Sequence, residues 1–232
     1  EEGKDLKDKS ISKHIMDVLN QKIISDVDYL SINGVYNLVN ANNLVFGASM
    51  DGWNQILVNA FANANNPIFK IPINAITDSN IVAEITSFER KLPKTYASMI
   101  TRIFLSANDF ERYILAYEDQ FGKNVNYTDN NKLYSRLGKR ELVPINGMTD
   151  GTLATFVDGN LMKLVDLIDN PATITDVQKQ DYKIKIFGEF TLGYDFGINE
   201  LAIVSTTTNV NPGLGSVALN KLYYPNDKNL HS

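Results

Sequence analysis

Acidic side chains crowd one stretch of the chain, where Asp150, Asp158, Asp166, Asp169 and Asp176 follow in quick succession. Carboxylates at such density are the raw material of a divalent-cation site or of a general acid–base pair. Their spacing argues against a calcium loop, which needs ligands at alternate positions and a closing Glu within about twelve residues. Asp150-Gly151 and Asp158-Gly159 read instead as turn pairs, because both residue types tolerate positive φ. Around them, SRLGKRELVPINGMTDGTLATFVDGN (Ser135 to Asn160) strings together a Gly-Lys-Arg turn, an apolar strand, a Met-Thr-Asp-Gly turn and a second strand. Such a segment could rim an active site, or it could form the corners of a β-rich structural module.

Other chemistries find less support. The two histidines, His14 and His231, stand at opposite ends of the chain. His14 lies beside an apolar helical stripe with no partner ligand or base at helical spacing, which reads as a surface or packing residue. Cysteine is missing, which removes disulfides, thiolate zinc sites and cysteine nucleophiles but leaves the compartment undecided. No serine sits in a G-x-S-x-G elbow. PGLGSVAL, from Pro212, lacks the third glycine and the following helix pattern of a phosphate-binding loop. Asn126-Tyr127-Thr128 matches a glycosylation sequon by form and reads as loop sequence. The net charge is −5, from 22 basic and 27 acidic side chains, the wrong bias for a protein that neutralises phosphates. Aromatic residues are not interleaved with basic ones as in a nucleic-acid platform. No catalytic, metal-ligating or cofactor-binding residue is assigned, and no cofactor. An enzyme or ligand-binding module using the Asp150 to Asp176 carboxylates stays open as an alternative.

The elements that would position these residues follow from periodicity. With 232 residues, 44% apolar and 21% charged, the chain reads as one large globular domain or two modest ones. No apolar run approaches the roughly 18 residues of a membrane span. The start, EEGKDLKDKS, lacks a signal-peptide core and an initiator methionine, and reads as a trimmed or processed piece of something longer. Ile11, Ile15, Val18, Leu19, Ile23, Val27 and Leu30 form one helical stripe, with Ser10 or Ser12 as cap and a turn at Asn33-Gly34. Asp51 can cap a short helix through Trp53 and Phe61, and a further helix carries Ile81 to Phe88 up to Pro93. A buried strand over Met99 to Leu105 leads into a helix capped by Ser106 or Asn108 and ended by Gly122. NVNYTDNNKLYS is then a long polar loop, either functional or mobile. Strands follow at Glu141 to Ile145, Thr152 to Asp158 and LMKLVDLID. Tyr182, Ile184 and Ile186 alternate with Lys183 and Lys185 as in a half-solvated antiparallel strand. ELAIVS is a last buried strand, and the Pro- and Gly-containing tail after Thr208 reads as irregular.

A long helix, an α/β block and long antiparallel strands, in that order, resemble the major capsid proteins of tailed bacteriophages, the Hong Kong 97-type fold. SISKHIMDVLNQKIISDVDYLSING resembles the family's spine helix and the turn after it. SNIVAEITSFERKLPKTYASMITRIFLSANDFERYILAYEDQFGKNV resembles its helix, buried strand and following helix. LGKRELVPINGMTDGTLATFVDGNLMKLVD and QDYKIKIFGEFTLGYDFGINELAIVSTT resemble the strands that follow. The resemblance runs from about Ser10 to Ser205. It implies an α+β fold whose spine helix and long antiparallel strands form a peripheral domain beside a central α/β axial domain. Residues 1–50 would be the spine helix and lead-in, 51–170 the axial domain, 171–196 the peripheral strands, and 197–232 the returning axial strand with an irregular tail.

The same resemblance implies a structural protein rather than an enzyme, assembling into an icosahedral shell around DNA. Pentamers and hexamers would form in the host bacterial cytoplasm and end in the virion, with packaged DNA an indirect partner, scaffold or portal proteins possible partners, and no membrane. An encapsulin-like compartment shell is the alternative within the fold. The loop after the Ser106 to Gln120 helix would face a symmetry axis, making Asn126, Tyr127, Asn131, Leu133 and Tyr134 interface residues. The family's N-terminal arm and extended hairpin would precede the spine helix, so this chain by itself is expected to assemble poorly. On this resemblance the Asp-Gly turns are corners of a shell module.

Overall fold

A computed structural model describes residues 2–122, 132–165, 173–180, 183–189, 192–208 and 210–231. The first helix, α1, spans Glu2–Asn33, so Ser10 and Ser12 lie inside it and neither caps it. The sequence before Ser10 holds no proline that would end a helix there. Next come α2 (Leu38–Asn42) and α3 (Trp53–Ala62). The cap residue of α3 is Gly52 rather than Asp51. The Asp51 carboxylate instead accepts from the Tyr36 amide at 2.8 Å and from Asn59 Nδ2 at 3.3 Å.

Helix α1 meets α3 through bare backbone. The Gly34 amide donates to Leu30 O at 3.0 Å, and the Gly52 amide donates to Gly34 O at 2.8 Å. A Cβ on Gly52 would stand 2.5 Å from Leu30 O, and one on Gly34 would stand 2.5 Å from Met50 O. Only glycine fits either position. Beside this contact, Asn54 Nδ2 donates to Asn33 Oδ1 at 3.1 Å and to Gly147 O at 2.7 Å. The end of α1, the start of α3 and a sheet turn are thereby joined.

The remaining elements are β1 (Phe69–Pro72), α4 (Ile81–Arg90), β2 (Arg102–Ser106), α5 (Ala107–Phe121), β3 (Glu141–Ile145), β4 (Ala154–Phe156), β5 (Leu161–Val165), β6 (Thr173–Gln180), β7 (Lys183–Glu189), β8 (Leu192–Phe196), β9 (Ala202–Thr206) and α6 (Val217–Tyr223). Five strands form a mixed sheet in the order β1-β9-β4-β2-β3. Its outer pairs are parallel and its inner pairs antiparallel. The two edge strands carry its prolines, Pro72 and Pro144, where a missing N–H costs least. Strands β5 and β8 pair antiparallel, as do β6 and β7.

Alternation along the strands separates two cores. Phe69, Ile71, Ile103, Leu105 and Ile203 face α4 and α5 in one apolar cluster. Phe104, Ala154, Ala202 and Val204 face α3 in the other, beneath Ile56, Leu57 and Trp53. The register agrees, with Phe69 opposite Ile203 on one face and Phe104 opposite Ala154 on the other. A sheet covered on both faces needs nearly continuous apolar strands, and all five residues of β9 are buried.

The chain after Thr208, irregular by its Pro and Gly content, is ordered instead. Gly213 exchanges two 3.0 Å backbone hydrogen bonds with Lys70, bridging the free edge of β1. Helix α6 begins within PGLGSVAL, at Val217 after Ser216, contrary to the expected lack of a helix there. At seven residues it is too short to be stable alone, and tertiary contacts hold it. Asn220 accepts from the Leu214 amide and donates to Leu230 O, both at 2.9 Å. Asp227 accepts from the Lys94 and Thr95 amides at 2.9 Å. Tyr224 is fully buried, edge-on to Phe69 with ring centroids 4.9 Å apart, and its hydroxyl donates to Glu200 O.

Two measurements check this packing. Gly52→Ala is expected to cost about 1–3 kcal/mol through overpacking against backbone that cannot yield. Tyr224→Ala is expected to cost about 3–5 kcal/mol, the range for emptying a buried aromatic site. Both would appear as lowered urea midpoints; an unchanged midpoint for Tyr224→Ala would mean the tail is not part of the core.

Candidate functional site

Asp150 and Asp158 do not converge. Asp158 accepts from Thr101 Oγ1 at 3.0 Å, just before β2, and Asp150 accepts from Asn108 Nδ2 at 3.0 Å, just after it. Five strand residues at about 3.3 Å each separate these partners by roughly 16 Å. Gly151 and Gly159 have φ of 78° and 87°, as the Asp-Gly turn pairs require. The Ser106 hydroxyl, and then the Asn108 amide, hold the Asp150 carboxyl below the usual aspartate range. Ser106 also caps α5, accepting from the Asp109 amide at 3.0 Å, and the Asp109 carboxylate accepts from Gly151 N at 2.6 Å. These carboxylates fasten the β2–α5 corner to the turn before β4. Asp166 and Asp169 lie outside the described residues, and Asp176 lies in β6. No group of three or more potential metal ligands occurs among the described residues.

The basic turn faces inward as well. Gly138 has φ 67° and turns the chain so that Arg140 reaches Glu89 on α4, Nη1 to Oε1 at 2.9 Å, and donates from Nη2 to Ala97 O at 3.2 Å. The Arg140 side chain is 8% exposed and that of Glu89 is 0%. Glu89 was legible as an exception, because it follows Ile81 and Ile85 at helical spacing on the apolar face of α4. Arg140 could be paired with it only through the tertiary fold. Glu84 on the same helix accepts from the backbone amide of Asn74 at 3.0 Å and from its side chain at 2.7 Å.

The expected interface loop divides. Asn126, Tyr127 and Asn131 lie outside the described residues. Leu133, expected as an exposed anchor, is 1% exposed and belongs to the core cluster with Tyr113 and Leu142. Pairing draws it in, since the Leu142 amide donates to Leu133 O at 2.8 Å, extending the edge of β3. Tyr134 bridges Glu141 and remains half-buried.

A cleft of about 550 Å³ opens between the end of α4 and the tail, lined by Arg90, Lys94, Pro212, Ser216 and Asp227. The carboxylate of Asp227 is already engaged by the Lys94 and Thr95 amides. Among the described residues, no helix is long and apolar enough to cross a membrane.

No family model and no curated protein sequence matches the chain. Among solved structures, a chain of one described as "Satellite phage P4 procapsid including size determination (Sid) protein" superposes with a TM-score of 0.51 at 10% identity. The match covers 86% of this chain and 68% of that one. The fold is capsid-like. At this identity the likeness is one of architecture, a mixed α+β arrangement of helices around mixed sheets.

The buried pair and the corner carboxylate yield separate expectations. Arg140→Met alone should cost about 3–5 kcal/mol, because it leaves Glu89 buried without its cation, while Arg140→Met with Glu89→Leu should recover much of that loss. Denaturant titration of the three proteins measures the difference. Asp150 contributes stability that is full above the ordinary aspartate pKa of about 3.9 and is lost as pH falls through its lower native value. Asp150→Asn should therefore be less stable than the parent at about pH 7, and the gap should close as pH falls through the lowered native pKa.

Proposed function

We propose that the chain is a structural shell subunit of Hong Kong 97 type, the major head protein of a tailed phage or prophage. Copies would form pentamers and hexamers and close into an icosahedral shell around DNA. The observation that carries this reading is the likeness to a phage procapsid structure over 86% of the chain. In this assignment residues 51–170 and the returning β9 form the axial domain, and α1 with residues 171–196 forms the peripheral domain. Helix α1 then serves as the spine, anchored to the axial part through Gly34 and Gly52.

The work of such a subunit lies in repeated interfaces, whose buried area and geometry take the place of a reacting group. Carboxylates and cations used internally, as at Asp150, Asp109 and the Arg140–Glu89 pair, suit that role, because they stiffen corners that neighbouring copies must find in one shape. An overall acidic balance of −5 suits a container that holds DNA without gripping it.

Residues 123–131, at the end of α5, are assigned to the symmetry axis, with Tyr127 and Asn131 meeting their own copies. Sedimentation and negative-stain microscopy of the natural shell-forming protein should show rings or closed shells. Tyr127→Glu with Asn131→Glu should abolish them by bringing like charges together around the axis. Capsomers at normal yield with both substitutions would remove the axial assignment, and a protein that stays monomeric without them would remove the shell reading.

A further inference from the structure

Residues 29–50, YLSINGVYNLVNANNLVFGASM, contain no charged side chain, in a chain where 21% of residues are charged. A segment without charge is ordinarily buried, yet this one is not. From Gly34 the chain leaves the end of α1, turns, and returns to Gly52. The two legs are tied by Val35 N to Gly47 O at 2.9 Å and Asn37 N to Ala48 O at 3.0 Å. Helix α2 forms the tip, capped where Asn37 Oδ1 accepts from the Asn40 amide at 3.0 Å, and none of its residues is buried. Leu38, Val39 and Leu44 are 60%, 67% and 92% exposed, and Val35, Tyr36, Val45 and Phe46 are exposed too. Phe46 also lies against Tyr29 of α1, with ring centroids 5.1 Å apart, which fixes the finger on its base.

Leu44 has φ 58°, a left-handed conformation that a leucine adopts at a cost. Asparagine is the ordinary choice there, and Asn42 and Asn43 stand immediately before it. The finger thus carries strain and keeps a large apolar side chain at its most exposed point. Backbone strain held in place by surrounding structure points to a functional position. Seven large apolar residues exposed within one short excursion exceed the singly scattered apolar residues of an ordinary surface.

We propose that the finger, residues 35–48, is a docking surface for a second copy of this chain. Two further observations favour a copy as the occupant. Each copy carries a net charge of −5, and the finger itself adds no charge that would oppose a like copy, Lys22 of α1 lying over Phe46 at its base; charged residues are depleted from interface cores. Asn40, Asn42 and Asn43 present amides that both donate and accept, so they can bond to the same groups of an identical chain. Naming a copy as the occupant also rests on the shell reading. The finger would supply an attachment from the base of α1, separate from the contact assigned to residues 123–131.

The test uses the natural protein and Val39→Asp with Leu44→Asp. Aspartate accepts the left-handed backbone at position 44 better than leucine does, so the urea midpoint should be unchanged or higher. Sedimentation velocity should show association weakened by on the order of tenfold or more, since an unpaired carboxylate must be buried for docking. Leu44→Cys supplies a second measurement, because the chain has no other cysteine. Its maleimide labelling should slow markedly in the assembled protein. Association and labelling that match the monomer overturn the finger contact while leaving the shell reading intact if rings still form. A finger-dependent pair with no larger assembly supports the finger contact and overturns the shell reading. A parent that remains monomeric at every concentration overturns both, and finger binding by an unrelated protein in that case assigns the surface to another partner.

Discussion

Two glycines set the geometry of this molecule. At Gly34 and Gly52 the end of α1 and the start of α3 approach so closely that a single Cβ on either would strike a carbonyl oxygen at 2.5 Å. That contact fixes the direction in which the long helix leaves the rest of the fold. It also closes the base of the exposed finger, whose legs begin and end there, and it positions Asn33 to share Asn54 with the turn at Gly147. A helix of 32 residues extends about 48 Å at 1.5 Å per residue. A small change of angle at its base therefore moves its far end by many ångströms.

Above that base the mixed sheet solves a burial problem. Helices on one face and α3 on the other leave its central strands little solvent beyond the end of β2 at Arg102, and the edges are handled separately. Gly213 bridges β1, Tyr134 bridges β3, and the prolines sit where their missing donors matter least. The C-terminal tail belongs to this solution. Tyr224 fills the space between Phe69 and Tyr96, and burial, more than its neighbours, pushes its phenol well above the ordinary range. A group so placed packs the core and stays protonated.

Charges follow the same logic. The side chains that first look capable of chemistry are taken up as fasteners, with Asp109 and Asp150 at one corner, Asp158 at another, and Arg140 against Glu89 inside. The uncharged apolar surface faces outward instead, in the finger after α1. In this chain the polar groups hold the corners of the fold, and the apolar excursion after α1 is left facing solvent.

Local periodicity determined much of this in advance. The capping serine and terminal glycine of α5, the apolar face of α4, the limits of β3 and the turn at Asn33-Gly34 all depend on neighbours a few residues away, where spacing carries the signal. The Asp-Gly turns were legible for the same reason. What eluded sequence depends on partners far along the chain. Strand β1 is four residues long and gains its identity from β9, and α6 is held by Leu230 and the Lys70 edge. Leu133 is buried because β3 recruits its backbone, and Arg140 turns inward because Glu89 awaits it across the fold. Sequence alone therefore determined most of the longer elements and their order, since helix and strand periods are written within a few residues. Tertiary structure alone decided which charges are buried, which apolar residues remain outside and where the tail binds. Those outcomes are set by contacts between segments that no local pattern encodes.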